Sequence, residues 1–213
     1  MMNDIQSPSS LDKIKESERV LEKANSNVVW DLLRQCGEFY EWSHYPDEDV
    51  YDPETHAQYY YHAHALGDGT RWPEHGHFHL FLRSEGIPKA CKPLEMPEEN
   101  KQKDADDLCH LISISMTQTG KPQKLFTVNR WVTGETWYEA DDVCQMLDYF
   151  IVDHAWPSWP TNIWLTEMLK FHKEAIKKLV YERDAAVKAW QEKHPDQNVY
   201  EDRKLEVTSF LDL

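Results

Sequence analysis

Residues 59–83 read YYYHAHALGDGTRWPEHGHFHLFLR and hold five of the chain's eleven histidines: His62, His64, His75, His77 and His79. Within each cluster the histidines stand two apart. Side chains alternate between the faces of a strand, so His62 and His64 would share one face, as would His75, His77 and His79. Gly76, Phe78 and Leu80 then point the other way, and Phe81 and Leu82 continue the apolar run. Between the clusters, Leu66 to Pro73 is rich in turn formers. An antiparallel hairpin would lay the two histidine rows side by side, with opposed side chains about 5 Å apart. Imidazoles that close cannot all be protonated, and a shared cation relieves the conflict.

The first cluster is ambiguous on local grounds. Asp52-Pro53-Glu54-Thr55 can open a short helix, with Asp52 as cap and Pro53 in the first turn, running through His56 towards His64. Two alanines favour that helix and three consecutive tyrosines favour a strand. In a helix His62 and His64 would point about 200° apart and could not face one ion. The strand is preferred for residues 59–65. EHGHFHLFLR reads as a strand without this ambiguity.

Working outward, residues 1–9 read as disordered and 10–213 as a single α+β domain. Ser9 or Ser10 caps a helix to about Ala24, and a second helix covers Asn27 to Cys36, stopped by Gly37. Phe39 to Pro46 is extended and aromatic, followed by an acidic loop at Asp47-Glu48-Asp49. Residues 84–107 form a Pro-, Lys- and acid-rich loop. Leu108 to Thr117 is a strand with His110, Ile112, Ile114 and Met116 on one face, and Leu125 to Val132 returns as its partner. A short helix covers Asp141 to Phe150. The longest helix runs from Thr161 to His194, and LEVTSFLDL at the end can add an edge strand. The expected architecture is an antiparallel sheet of about four strands packed against several helices, with a long C-terminal helix.

Composition narrows the function. The net charge of −15, from 38 acidic and 23 basic residues, argues against nucleic acid and against anionic membranes as partners. No apolar run approaches the roughly 18 to 20 residues needed to span a bilayer. The opening MMNDIQSPSS lacks the basic and apolar regions of a signal peptide. Cys36, Cys91, Cys109 and Cys144 are scattered with no CxxC pair, which fits reduced thiols and a cytoplasmic location. No nucleophile elbow, P-loop, GxGxxG or HExxH is present.

The histidine cluster therefore carries the chemistry. Neutral imidazole suits zinc, copper, iron and nickel, whereas magnesium and calcium want oxygen. The expected site is a transition-metal centre, iron or copper favoured and zinc possible, with His62, His64, His75, His77 and His79 supplying its ligands. Glu74 would be a further ligand or an acid/base, and His110, His56 and His44 are candidates for additional ligands. Arg130, in Asn129-Arg130-Trp131, can bind a carboxylate or stack on an aromatic group and so orient an anionic or aromatic small-molecule substrate, and it reads equally as an edge-strand arginine paired with one of the chain's many acids. An isolated histidine is more often a hydrogen-bonded or surface residue, which is the reading for His154, His172 and His194. The alternatives are a closed metal-binding or sensing site, or a metal-free binding module whose histidines hydrogen-bond to each other and to tyrosines.

The cupin pattern of HxH followed closely by glutamate is not met, because Glu74 lies ten residues after His64. The chain instead resembles an uncharacterised bacterial family of unknown function. The resemblance rests on the HYP segment at 44–46, YYYHAH at 59–64, EHGHFHLFLR at 74–83, HLISISM at 110–116 and LFTVNRWVTGETW at 125–137. It implies that the histidines and Asn129-Arg130-Trp131 belong to one site, and it supplies no activity.

Overall fold

Residues Ala57–His62 (β2) and Gly76–Arg83 (β3) pair antiparallel, with His62 opposite His77 and Tyr60 opposite His79. The strand reading of the first cluster therefore holds for residues 59–62 but stops short of His64, and the helix from Asp52 does not form. Asp52 still caps: its Oδ1 accepts the amides of Glu54 at 2.9 Å and Thr55 at 3.1 Å. Those bonds close a tight turn instead of starting a helix, because His56 takes a left-handed φ of 61° and turns the chain back into β2. The computed structural model describes residues 7–64, 72–96 and 108–213. The turn expected over 66–73 and the disordered start expected over 1–9 lie largely outside those residues.

Four more strands extend the hairpin. His44–Tyr51 (β1), Leu108–Met116 (β4), Pro122–Val128 (β5) and Val207–Asp212 (β6) give one antiparallel sheet in the order β1-β2-β3-β4-β5-β6. The sheet thus has six strands where about four were expected. The first addition, β1, runs through Pro46 and the acidic segment that read as a loop. An edge strand tolerates proline because one side of its ladder needs no donor, and a register shift between Tyr45 and Val50 accommodates the surplus residues. The second, β6, is the C-terminal tail. β5 ends at Val128, short of the expected Val132, because Asn129 caps a one-turn helix, Arg130–Thr133 (α3), that stops at Gly134 in a left-handed conformation.

One face of the sheet is apolar. Tyr59, Tyr61, Phe78, Leu80, Leu82, Ile112, Ile114 and Leu125 pack into a single core with residues of five helices. Those helices are Ser10–Lys23 (α1), Val28–Leu33 (α2), Ala140–Met146 (α4), Trp159–Phe171 (α5) and Lys173–Lys193 (α6). Trp164 of α5 and Phe78 are fully buried, and large side chains so placed contribute about 1.5–3 kcal/mol each. The single long helix expected over 161–194 is two helices meeting at His172. The break lets α5 lie along α1 while α6 crosses to β5 and β6, where Ser209 Oγ donates to the Leu179 carbonyl at 2.8 Å. Within 84–96, the stretch read as a loop contains a 3-10 turn at Ser84–Gly86 and a single bridge from Pro93 to Tyr138.

Candidate metal centre

The second face of the sheet is polar, aromatic and also largely buried. Cross-strand register lines its residues up in rungs. One rung runs His44, His62, His77, Ser115, Lys124 across β1 to β5, and the next runs Tyr60, His79, Ser113, Phe126, Phe210 across β2 to β6. Histidines from three neighbouring strands therefore meet on one rung.

His64 lies just beyond the end of β2 and joins them. Its ring centroid is 4.8 Å from that of His62 and 5.3 Å from that of His77, and the His62–His77 separation is 5.7 Å. His44 stands 5.7 Å from His62, and its ring lies flat on Tyr60 at 3.7 Å. Trp42 covers the outer end, with its indole edge-on to His64 at 4.5 Å.

Several of these imidazoles are held through Nδ1. His77 Nδ1 donates to Glu74 Oε1 at 2.7 Å. Glu74 Oε2 accepts the Ser115 hydroxyl and, at 3.2 Å, the Trp72 indole N–H. Ser115 Oγ accepts in turn from Trp72 Nε1 at 2.8 Å and Gln123 Nε2 at 3.0 Å. His62 Nδ1 donates to the Ser43 carbonyl at 3.2 Å, and His44 Nδ1 sits 3.1 Å from Asp49 Oδ1. A bonded Nδ1–H leaves the lone pair on Nε2, which is the tautomer a metal ligand needs. Burial first, then the neighbouring His77, His64 and His44, pushes the His62 pKa down to about 3, so its ring is neutral.

The rest of the expected set divides. His79 is buried on the same face, 4.7 Å from His77 between ring centroids. Its Nδ1 lies 2.8 Å from Ser113 Oγ and 3.2 Å from His110 Nε2, which is itself 3.0 Å from Ser113 Oγ. That triangle exists because β4 bulges. Leu80 pairs with Ile112 but Phe81 pairs with His110, so Leu111 is the extra residue and His110 moves to the histidine face. The expectation that His110 shares a face with Ile112, Ile114 and Met116 fails for this reason.

His75 does not join His77 and His79. It precedes β3, its Nδ1 lies 2.6 Å from the Tyr61 hydroxyl, and its ring stacks on Tyr61 and Phe39 at 5.9 and 5.5 Å. Tyr61 belongs to the helix-packed core, and β3 begins only at Gly76, so the alternation predicted from sequence does not reach His75. His56 sits at the opposite end of β2, with Nδ1 2.5 Å from the Tyr51 hydroxyl.

Arg130 is buried and ion-paired with Glu201 beside the 3-10 turn Val199–Glu201. It follows the end of β5, four residues beyond Phe126, the β5 residue against His77 and His79. Trp131 donates to the Leu205 carbonyl at 2.9 Å, so both side chains of this pair serve the C-terminal segment.

Sequence reading also missed Ser115, Trp72 and Trp42 as parts of the site. Only the i, i+2 alternation of Ser113 and Ser115 within an apolar strand hinted at a polar second face. Among the described residues, no three His, Cys, Asp or Glu side chains converge on one cation position as they stand, and no helix is long and apolar enough to cross a membrane. No curated protein and no solved structure matches the chain. Over residues 9–213 it matches, and belongs to, the family described as a domain of unknown function, DUF6969.

Proposed function

We propose that the protein is a transition-metal-binding protein and a metal-dependent oxidoreductase acting on a small molecule, with His62, His64 and His77 as ligands. The observation that carries this reading is the triangle of their rings, with centroids 4.8, 5.3 and 5.7 Å apart. A ligating imidazole has its nitrogen about 2.0–2.1 Å from the ion, which puts two ring centroids on one ion about 4.5–5.2 Å apart. The observed spacings fall within about half an ångström of that range. Rotating the side chains on a backbone already in register would bring the nitrogens together. Glu74 behind His77 and the Ser43 carbonyl behind His62 supply the outer hydrogen bonds that ligating histidines carry. Glu74 then acts by positioning His77.

Three neutral imidazoles leave a coordination position open, the arrangement of a catalytic site more than a closed structural one. The same ligands suit iron, copper or zinc, and iron or copper would support redox chemistry. The four free cysteines fit a reducing compartment such as the cytoplasm. Cobalt(II) titration monitored in the visible range tests the site. A band intensity typical of four- or five-coordinate cobalt at one equivalent, weakened at least tenfold by His77→Ala, is expected. Spectra of hexaaquo cobalt throughout the titration would refute it.

One observation favours a second reading, a metal-free ligand-binding module. In the His79–Ser113–His110 triangle the imidazoles already bond to one another and to a hydroxyl. If the whole face works this way, His77→Ala removes no metal and alters only the binding of an organic ligand.

A further inference from the structure

Trp42 is out of place as a structural residue. Its φ of 70° lies in the left-handed region that bulky side chains avoid, and 60% of its surface is exposed. Its amide nevertheless donates to the Ala63 carbonyl at 2.9 Å, which fixes the indole at the mouth of the histidine cluster, against His64 and His62. Beside it, the stacked His44–Tyr60 pair offers a second flat surface at the same mouth. Residues 35–50 carry Glu38, Glu41, Asp47, Glu48 and Asp49 and no lysine or arginine. The cation expected to hold an anionic substrate, Arg130, is engaged by Glu201.

We infer that the site takes a planar aromatic substrate, uncharged or cationic, which stacks on the exposed indole of Trp42 with one edge directed at the histidine cluster. Aromatic faces bind flat rings and cations, and the acidic segment that carries Trp42 and His44, with Asp49 against His44, repels anions. This inference rests on the metal reading above.

The test is a titration of the metal-loaded protein with indole, benzylamine, benzoate and cyclohexylmethylamine, followed by calorimetry and by tryptophan fluorescence. Trp42→Gly is the main variant, because glycine adopts a φ of 70° without strain, and Trp42→Phe keeps an aromatic face. Indole and benzylamine should bind at least tenfold more tightly than benzoate and cyclohexylmethylamine. Trp42→Gly should weaken them at least tenfold with metal content unchanged, and Trp42→Phe should stay within about threefold of the parent. Equal binding to parent and Trp42→Gly, or no preference for the aromatic amine over its saturated counterpart, overturns the inference. A parent protein that takes up no metal overturns the reading beneath it, and metal analysis before the titration reveals that separately.

Discussion

Glu74 is fixed on both oxygens, by His77 on one side and by Ser115 and Trp72 on the other, so it fixes the His77 ring in turn. Removing such a carboxylate typically lowers metal affinity about 10- to 100-fold. Glu74→Ala should therefore weaken metal binding by that factor in a chelator competition while leaving stoichiometry near that of the parent. Trp42 tests the cost of a left-handed tryptophan. At a φ of 70° alanine is strained and glycine is not, so Trp42→Gly should be more stable than Trp42→Ala by about 1 kcal/mol in urea unfolding. Equal midpoints would mean that the loop relaxes when the indole is lost.

Among the strands, alternation at Tyr59–His62 and Gly76–Arg83 made the central hairpin legible, because a period of two in a half-polar segment is the mark of a strand with two unlike faces. His44 and His110 were only candidates among the histidines, since each reaches the site through a register shift in its strand. A bulge leaves no fixed residue pattern, so face assignments downstream of one invert without warning. His75 fell out of the row for the related reason that β3 starts at Gly76. Arg130 was placed at the site by the family resemblance, and its pairing with Glu201 comes from a tail about seventy residues away. Gly76 itself is required by close approach: a Cβ there would lie 2.5 Å from the His62 carbonyl oxygen and 2.7 Å from the Tyr61 hydroxyl. Gly76→Ala must push β2 and β3 apart at the His62–His77 rung. It should cost about 1–3 kcal/mol in thermal or urea unfolding and weaken metal binding as well. Unchanged stability would show that the hairpin opens there without penalty.

At the scale of the molecule, burying one sheet face under helices and filling the other with histidines makes stability depend on pH. Glu135 is fully enclosed, and burial pushes its pKa up to about 7 against the opposing pull of Arg183. A raised acid binds its proton more tightly folded than unfolded, so its contribution is present below about pH 4.5 and is lost as pH rises through about 7. A shift of that size corresponds to about 3 kcal/mol. His110 works the other way. Burial, then Arg183 and His77, lowers its pKa to about 3, so stability falls as pH drops below its unfolded value of 6.5. A glutamine amide in place of the Glu135 carboxyl can still accept from the His110 backbone N–H. Glu135→Gln should therefore gain about 3 kcal/mol relative to the parent between pH 4.5 and 8, read from urea midpoints. A gap between the two proteins that does not change with pH would remove Glu135 as the cause. The most direct measurement is the metal content, by plasma mass spectrometry, of untagged protein purified without chelators. It is compared with the triple variant His62→Ala/His64→Ala/His77→Ala and with His75→Ala. The site described predicts about one equivalent of iron, copper or zinc in the parent and in His75→Ala, and none in the triple variant. A parent without metal even after reconstitution, or a triple variant that keeps it, would contradict the account.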